Sequence, residues 1–142
     1  MNNLFHSIMI KLDRYRLIPD RFSGADYMHR YYLFLKDRNT FPFNLTLHKI
    51  VKSDEPFLHD HPWSYITIIL RGGYWENTID GRTWKGPGSI IKRKAKDYHW
   101  LELDNDNPAT TLFFMGRQQR NWGFLNNKNE WIEHEEFLDE RI

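Results

Sequence analysis

The sequence predicts an all-β barrel or sandwich, and three observations lead there. Aromatic residues make up 16% of the 142, with six Trp, seven Tyr and ten Phe, an excess that suits pleated surfaces and a ring-lined interior better than a helical bundle. Short apolar, β-branched runs recur between Gly, Pro, Asn and Asp signals. A His-x-His pair, His59 and His61, sits in one such run; in an extended segment alternate side chains share a face, so both imidazoles aim at one point while Asp60 points away.

Along the chain, residues 4–10 are apolar and read as part of the fold, and residues 11–30 read as irregular entry segments with at most one helical turn. Strands are expected over 31–35 and 44–51, separated by a turn holding Asn39 and Pro42. The loop Ser53-Asp54-Glu55-Pro56 precedes the histidines. Residues 65–71 form a β-branched run ending at Gly72-Gly73, and 74–78 resume, which predicts a two-residue hairpin. A turn follows at Ile79-Asp80-Gly81-Arg82, then Gly86-Pro87-Gly88, then strands over 89–93, 98–103, 110–115 and 122–125. Residues 132–141 place Phe137 and Leu138 among acidic residues, the pattern of a short amphipathic helix.

Composition narrows the function. The length suits one domain. Twenty Lys plus Arg against nineteen Asp plus Glu leave a net charge of +1, too little to hold a polyanion, so nucleic acid is not expected as a partner. The basic cluster Lys92, Arg93, Lys94 and Lys96 does not change this, because alternation sends Lys92 and Lys94 to the face opposite Arg93. No apolar stretch is long enough for a membrane span. The absence of Cys excludes disulfides and thiolate ligands and suits a reducing cytoplasm. Histidine and carboxylate remain as the strong metal ligands.

His59, His61 and the later His99 therefore read as a metal set, since imidazole suits divalent zinc, iron, nickel or copper and three ligands leave positions open. The competing reading is of surface histidines near a turn. His-x-His after a loop, glycines after the next strand, Gly-Pro-Gly and then His99 together resemble the two-motif layout of the cupin superfamily. More narrowly, Leu58-His59-Asp60-His61-Pro62-Trp63, Arg71-Gly72-Gly73-Tyr74-Trp75-Glu76 and Trp122-Gly123-Phe124 are similar to a group of cupins found in phage and bacterial genomes, over about residues 27–138. The resemblance implies an RmlC-like antiparallel jelly roll over 1–142 and one divalent ion (Fe, Zn, Ni or Mn) on the three histidines.

One departure stands out. Cupins with a fourth, glutamate ligand place it where this chain has Tyr65 or Ile66. On the hairpin reading Glu76 opposes Ile69, about 13 Å along the strand from position 65, so Glu76 is expected as a pocket or hydrogen-bonding residue. Tyr65 is a candidate donor to a bound water or substrate, or a plain core tyrosine. His48 and Arg93 are candidate pocket residues, and Arg117 and Arg120 further anion binders. The expected function is a metal-binding enzyme of small-molecule chemistry, by oxygenation, isomerisation or hydrolysis. The alternatives are a non-catalytic protein binding a small ligand or host factor, and a metal-independent epimerase-like cupin using a His base with Tyr65 as acid. A homodimer is expected, with residues 4–10 adding a strand to a neighbour's sheet.

Overall fold

The computed structural model describes residues 3–36 and 41–139. Residues 4–10 are not extended: they lie in a helix, α1 (Asn3–Lys11). Phe5 and Met9 stand one turn apart on the face turned to the protein; Met9 is buried, and the Phe5 ring lies 5.2 Å from that of Tyr31. The helix closes at Asp13, which takes the left-handed conformation at φ 55°. Arg14 N–H donates to Met9 O at 2.8 Å and Asp13 N–H to Ile10 O at 3.0 Å, the bond pair of a Schellman turn.

The next stretch, expected to be irregular, is an antiparallel pair, β1 (Tyr15–Pro19) and β2 (Asp26–Tyr32). In β2 both Tyr31 and Tyr32 are buried, because α1 covers the outer side where solvent would normally face. A strand covered on both faces loses the alternation by which strands are read.

There follow β3 (Asn44–Ile50), β4 (Tyr65–Arg71), β5 (Tyr74–Thr78), β6 (Gly81–Lys85), β7 (Ile90–Arg93), β8 (Trp100–Leu103), β9 (Ala109–Met115), β10 (Gly123–Leu125) and β11 (Trp131–Glu133), then α2 (His134–Asp139). The strand β6 was not expected; its residues are nearly all exposed at the edge of a sheet, where no apolar face is required. Asn39 of the predicted turn and the end of the predicted C-terminal helix at Arg141 lie outside the described residues.

Two sheets face each other. The larger has the order β1-β2-β3-β9-β4-β7 and the smaller β6-β5-β8, all antiparallel, with β10 and β11 pairing apart. Their shared core joins Met28, Ile50, Ile69, Ile91 and Ala109 of the large sheet to Tyr74 and Leu103 of the small one.

The predicted hairpin at Gly72-Gly73 is absent. Arg71 pairs with Thr110 of β9, while β5 lies in the other sheet between β6 and β8. The two glycines form a corner between sheets. Gly72 has φ 74°, and a Cβ there would sit 2.3 Å from Pro108 O, so only glycine fits the crossing. The corner carries Glu76 across the interior, where it faces the large sheet instead of lying alongside it.

Candidate metal centre

His59 and His99 are joined backbone to backbone, each N–H donating to the other's carbonyl at 3.0 Å. This isolated antiparallel bridge brings the segment before β4 against the start of β8. Two residues on, His61 N–H donates to Ala95 O at 2.9 Å, and alternation returns its ring to the side of His59. The three rings meet edge to face, with centroids 5.2, 5.1 and 4.8 Å apart. One nitrogen from each lies within 4.8 Å of the others.

Asp60, between the two, points the opposite way and is fully buried. Its carboxylate accepts from Gly123 N–H at 2.8 Å and Trp131 Nε1 at 3.1 Å and pairs with Arg120 at 2.6 Å. Asp60 thus ties the histidine segment to β10 and β11, and Arg120 is consumed in doing so. Gly123 must be glycine, since a Cβ would meet Ile132 O at 2.1 Å.

Behind His99 lies Glu76. Its Oε2 accepts from His99 Nδ1 at 2.8 Å, and its carboxylate is clamped by the Arg93 guanidinium, with Nε 3.1 Å from Oε2. Burial alone would raise the Glu76 pKa, but the hydrogen bonds from His99 and Arg93 outweigh it and hold the carboxyl at about 2. The charged carboxylate fixes the Nδ1–H tautomer, which leaves the His99 Nε2 lone pair free. The separation expected from a hairpin is thereby corrected: Glu76 reaches the site from the opposite sheet, through His99. Arg93 is corrected too. It is spent on Glu76 and does not line the cavity, because a buried carboxylate claims the nearest cation. Arg117 is exposed.

Tyr65 lies beside the histidines. Buried, it sets its hydroxyl 3.2 Å from Nδ1 and 3.5 Å from Nε2 of His99, with its ring 4.6 Å from that of His61. Burial, reinforced by Glu76, pushes its pKa well up, so it remains a neutral donor. His48 does line the cavity, stacked on Phe113 at 5.1 Å and bonded to Thr46 Oγ1 at 2.9 Å.

The donor set fits a metal ion. Burial lowers the pKa of His59 to about 4 and that of His61 well below the ordinary value, so both rings are neutral near pH 7 with lone pairs available. His61 Nδ1 is buried without a hydrogen-bond partner, an orphan that a ligand would satisfy. The imidazoles open on a cavity of about 290 Å³ between the sheets.

The fold is shared with known structures. A cupin-2 domain from Rhodospirillum rubrum superposes with a TM-score of 0.63 at 14% identity, covering 81% of this chain and 78% of that one. An RmlC-like cupin from Ralstonia eutropha gives 0.57 at 15% identity, over 91% and 80%. The chain has the cupin fold. A polyketide cyclase from Streptomyces resistomycificus shares it with a TM-score of 0.54 at 17% identity, over 66% of this chain and 72% of that one. No protein-family model matches the sequence, and a comparison with curated proteins finds no match.

Among the cavity residues that sequence reasoning missed are Arg21, in the loop between β1 and β2, and Arg30, on β2. Both fall in the stretch read as irregular, where an Arg carries no signal of facing a cavity.

Proposed function

We propose that this chain is one cupin domain that works as a metal-dependent enzyme on a small molecule. His59, His61 and His99 hold one divalent ion, iron, zinc, nickel or manganese, and the cavity beside them takes the substrate. The observation that carries this reading is the convergence of three imidazoles on the cavity wall, one with a buried ring nitrogen that lacks any partner. Bound there, the ion would supply Lewis-acid polarisation of a substrate oxygen or, as iron, a site for dioxygen chemistry. Glu76 holds the His99 ring and its proton in place. The Tyr65 hydroxyl, kept protonated by burial, donates a hydrogen bond to an oxygen of the substrate. The lack of cysteine favours the cytoplasm as its compartment.

A cobalt(II) titration of metal-free protein tests the site. Saturation at one equivalent, with visible absorption bands that vanish in His61→Ala, is expected. A wild-type protein that takes up no cobalt would contradict the reading.

A second reading has its own observation: His99 Nδ1 donates to Glu76 while the Tyr65 hydroxyl lies 3.5 Å from His99 Nε2. A buried carboxylate behind a histidine that touches a tyrosine is an acid–base arrangement needing no ion. Turnover of a substrate that survives chelation would favour it, and ligand binding with no turnover would favour a binding protein.

A further inference from the structure

Two guanidiniums line the cavity beyond the imidazoles. Arg30 enters from β2, in register with His48 of β3. Its Nε is buried without a hydrogen-bond partner, and one terminal nitrogen reaches the Met28 sulfur at 3.9 Å. Arg21, from the loop between β1 and β2, lies 4.6 Å over the Trp122 ring, and that ring is 6.1 Å from His59. Among the described residues no carboxylate lies within ion-pair distance of either guanidinium.

The acids near them are already engaged. Asp20 accepts from the backbone and hydroxyl of Ser23 at 2.8 Å and has Lys52 at 3.8 Å. Asp54 accepts from the Tyr27 hydroxyl and from Leu101 N–H at 2.7 Å. Glu55 pairs with Lys52 at 3.4 Å, and Asp60 serves β10 and Arg120. Burial, then the charge of Arg30, lowers the pKa of Arg21, whose own charge is felt at His59. Arg30 is half-buried with its Nε fully covered, while Arg21 is exposed at the cavity mouth; a half-buried guanidinium with no anion beside it is costly, and a second cation nearby adds to that cost.

We propose that Arg21 and Arg30 form an oxyanion subsite, so that the substrate of the reaction proposed above is a small organic anion whose carboxylate or phosphate end docks on these two residues. A planar guanidinium presents paired N–H donors that match two oxygens of either group. The subsite rests on that reading only for the term substrate; the anion site itself needs no metal. A cavity of about 290 Å³ sits near the small end of ligand pockets, roughly 300–1,000 Å³, which limits the ligand to a compact molecule. With its anionic end on the arginines, the ligand presents its other end to the histidines and Tyr65.

The test is calorimetry on chelator-treated, metal-free protein with three probes: succinate, inorganic phosphate and the neutral succinamide. At least one anion binds and succinamide does not; which anion binds tells carboxylate from phosphate. Arg30→Gln and Arg21→Gln each weaken that binding by about tenfold or more, while Arg117→Gln, on the exposed surface, leaves it unchanged. A wild-type protein that prefers neither anion to succinamide, or an Arg30→Gln variant of undiminished affinity, overturns the subsite. A second readout covers folding. Arg30→Met removes an unpaired cation and so raises the melting temperature of the ligand-free protein while abolishing anion binding; a lowered melting temperature would mean that the guanidinium serves the fold, and the subsite fails. Because every arm is metal-free, loss of the metal reading leaves these results standing, and loss of anion binding leaves the cobalt titration standing.

Discussion

His99 meets three groups from one ring: Nδ1 donates to Glu76, the Tyr65 hydroxyl rests against it, and one ring nitrogen lies within 4.8 Å of nitrogens of His59 and His61. Glu76→Gln keeps the shape of this arrangement and removes its charge. The Arg93 guanidinium, 27% exposed, then loses its partner, and a destabilisation of about 2 kcal/mol in urea is expected. Divalent-metal affinity should fall roughly tenfold to a hundredfold, the usual effect of losing the group that orients a ligand histidine; a variant with wild-type affinity would remove Glu76 from the site. Acidity acts on the neighbouring rings. With folded pKa values held below the ordinary value near 6.5, His59 takes up a proton only on unfolding between about pH 6.5 and about 4, and His61 does so likewise as the pH falls below about 6.5. The unfolded chain binds more protons in that window, so their contribution is fully present above it and is lost as the pH falls through it. Melting temperatures of metal-free protein should drop across this range, and less steeply in the double variant His59→Gln/His61→Gln. An equal slope in both would contradict the assignment.

At the scale of elements, the corner at Gly72-Gly73 and the tie between Asp60 and β10 put the groups of the site in place. Gly123→Ala forces a Cβ against Ile132 O, separating β10 from β11 and pulling Gly123 N–H from Asp60. A loss of about 3 kcal/mol or more is expected from denaturant melts, with weaker metal binding in the protein that remains folded; a change under 1 kcal/mol would show that β10 yields easily and that Asp60 is held by Arg120 and Trp131 instead. These elements also mark where the sequence was legible. The strands β3, β4, β5, β7 and β9, and the shared face of His59 and His61, follow from alternation and from loop signals of short range, while the joining of His99 to them was legible only through the two-motif resemblance. The sheet change at Gly72-Gly73 does not, because two glycines permit a hairpin or a corner equally, and the choice depends on which strand Arg71 finds, Thr110 of β9, about forty residues away in sequence. Glu76 was misplaced for that reason alone. The helix α1 and the strand β2 were hidden by each other: the helix buries the outer face of the strand, and so erases the polar alternation that would have revealed it.

At the scale of the molecule, a helix replaces the segment expected to extend a neighbour's sheet, so strand exchange through residues 4–10 is not the route to a dimer. Exposed apolar groups do gather elsewhere. Phe34, Phe41, Phe43 and Phe114 stack on one another with about 40% of each exposed, a patch of the kind that homodimers cover. Light scattering is expected to report a dimer that Phe43→Ser/Phe114→Ser converts to monomer; a wild-type monomer would end that expectation. Among the described residues no helix is long and apolar enough to cross a membrane.

The most direct measurement is the elemental content of protein purified without a histidine tag, taken for the wild type and for His59→Ala/His61→Ala/His99→Ala. One equivalent of a divalent transition metal in the wild type and none in the folded triple variant is the predicted result. Equal metal content in both, or a metal-free wild type that takes up no ion on reconstitution, would contradict it.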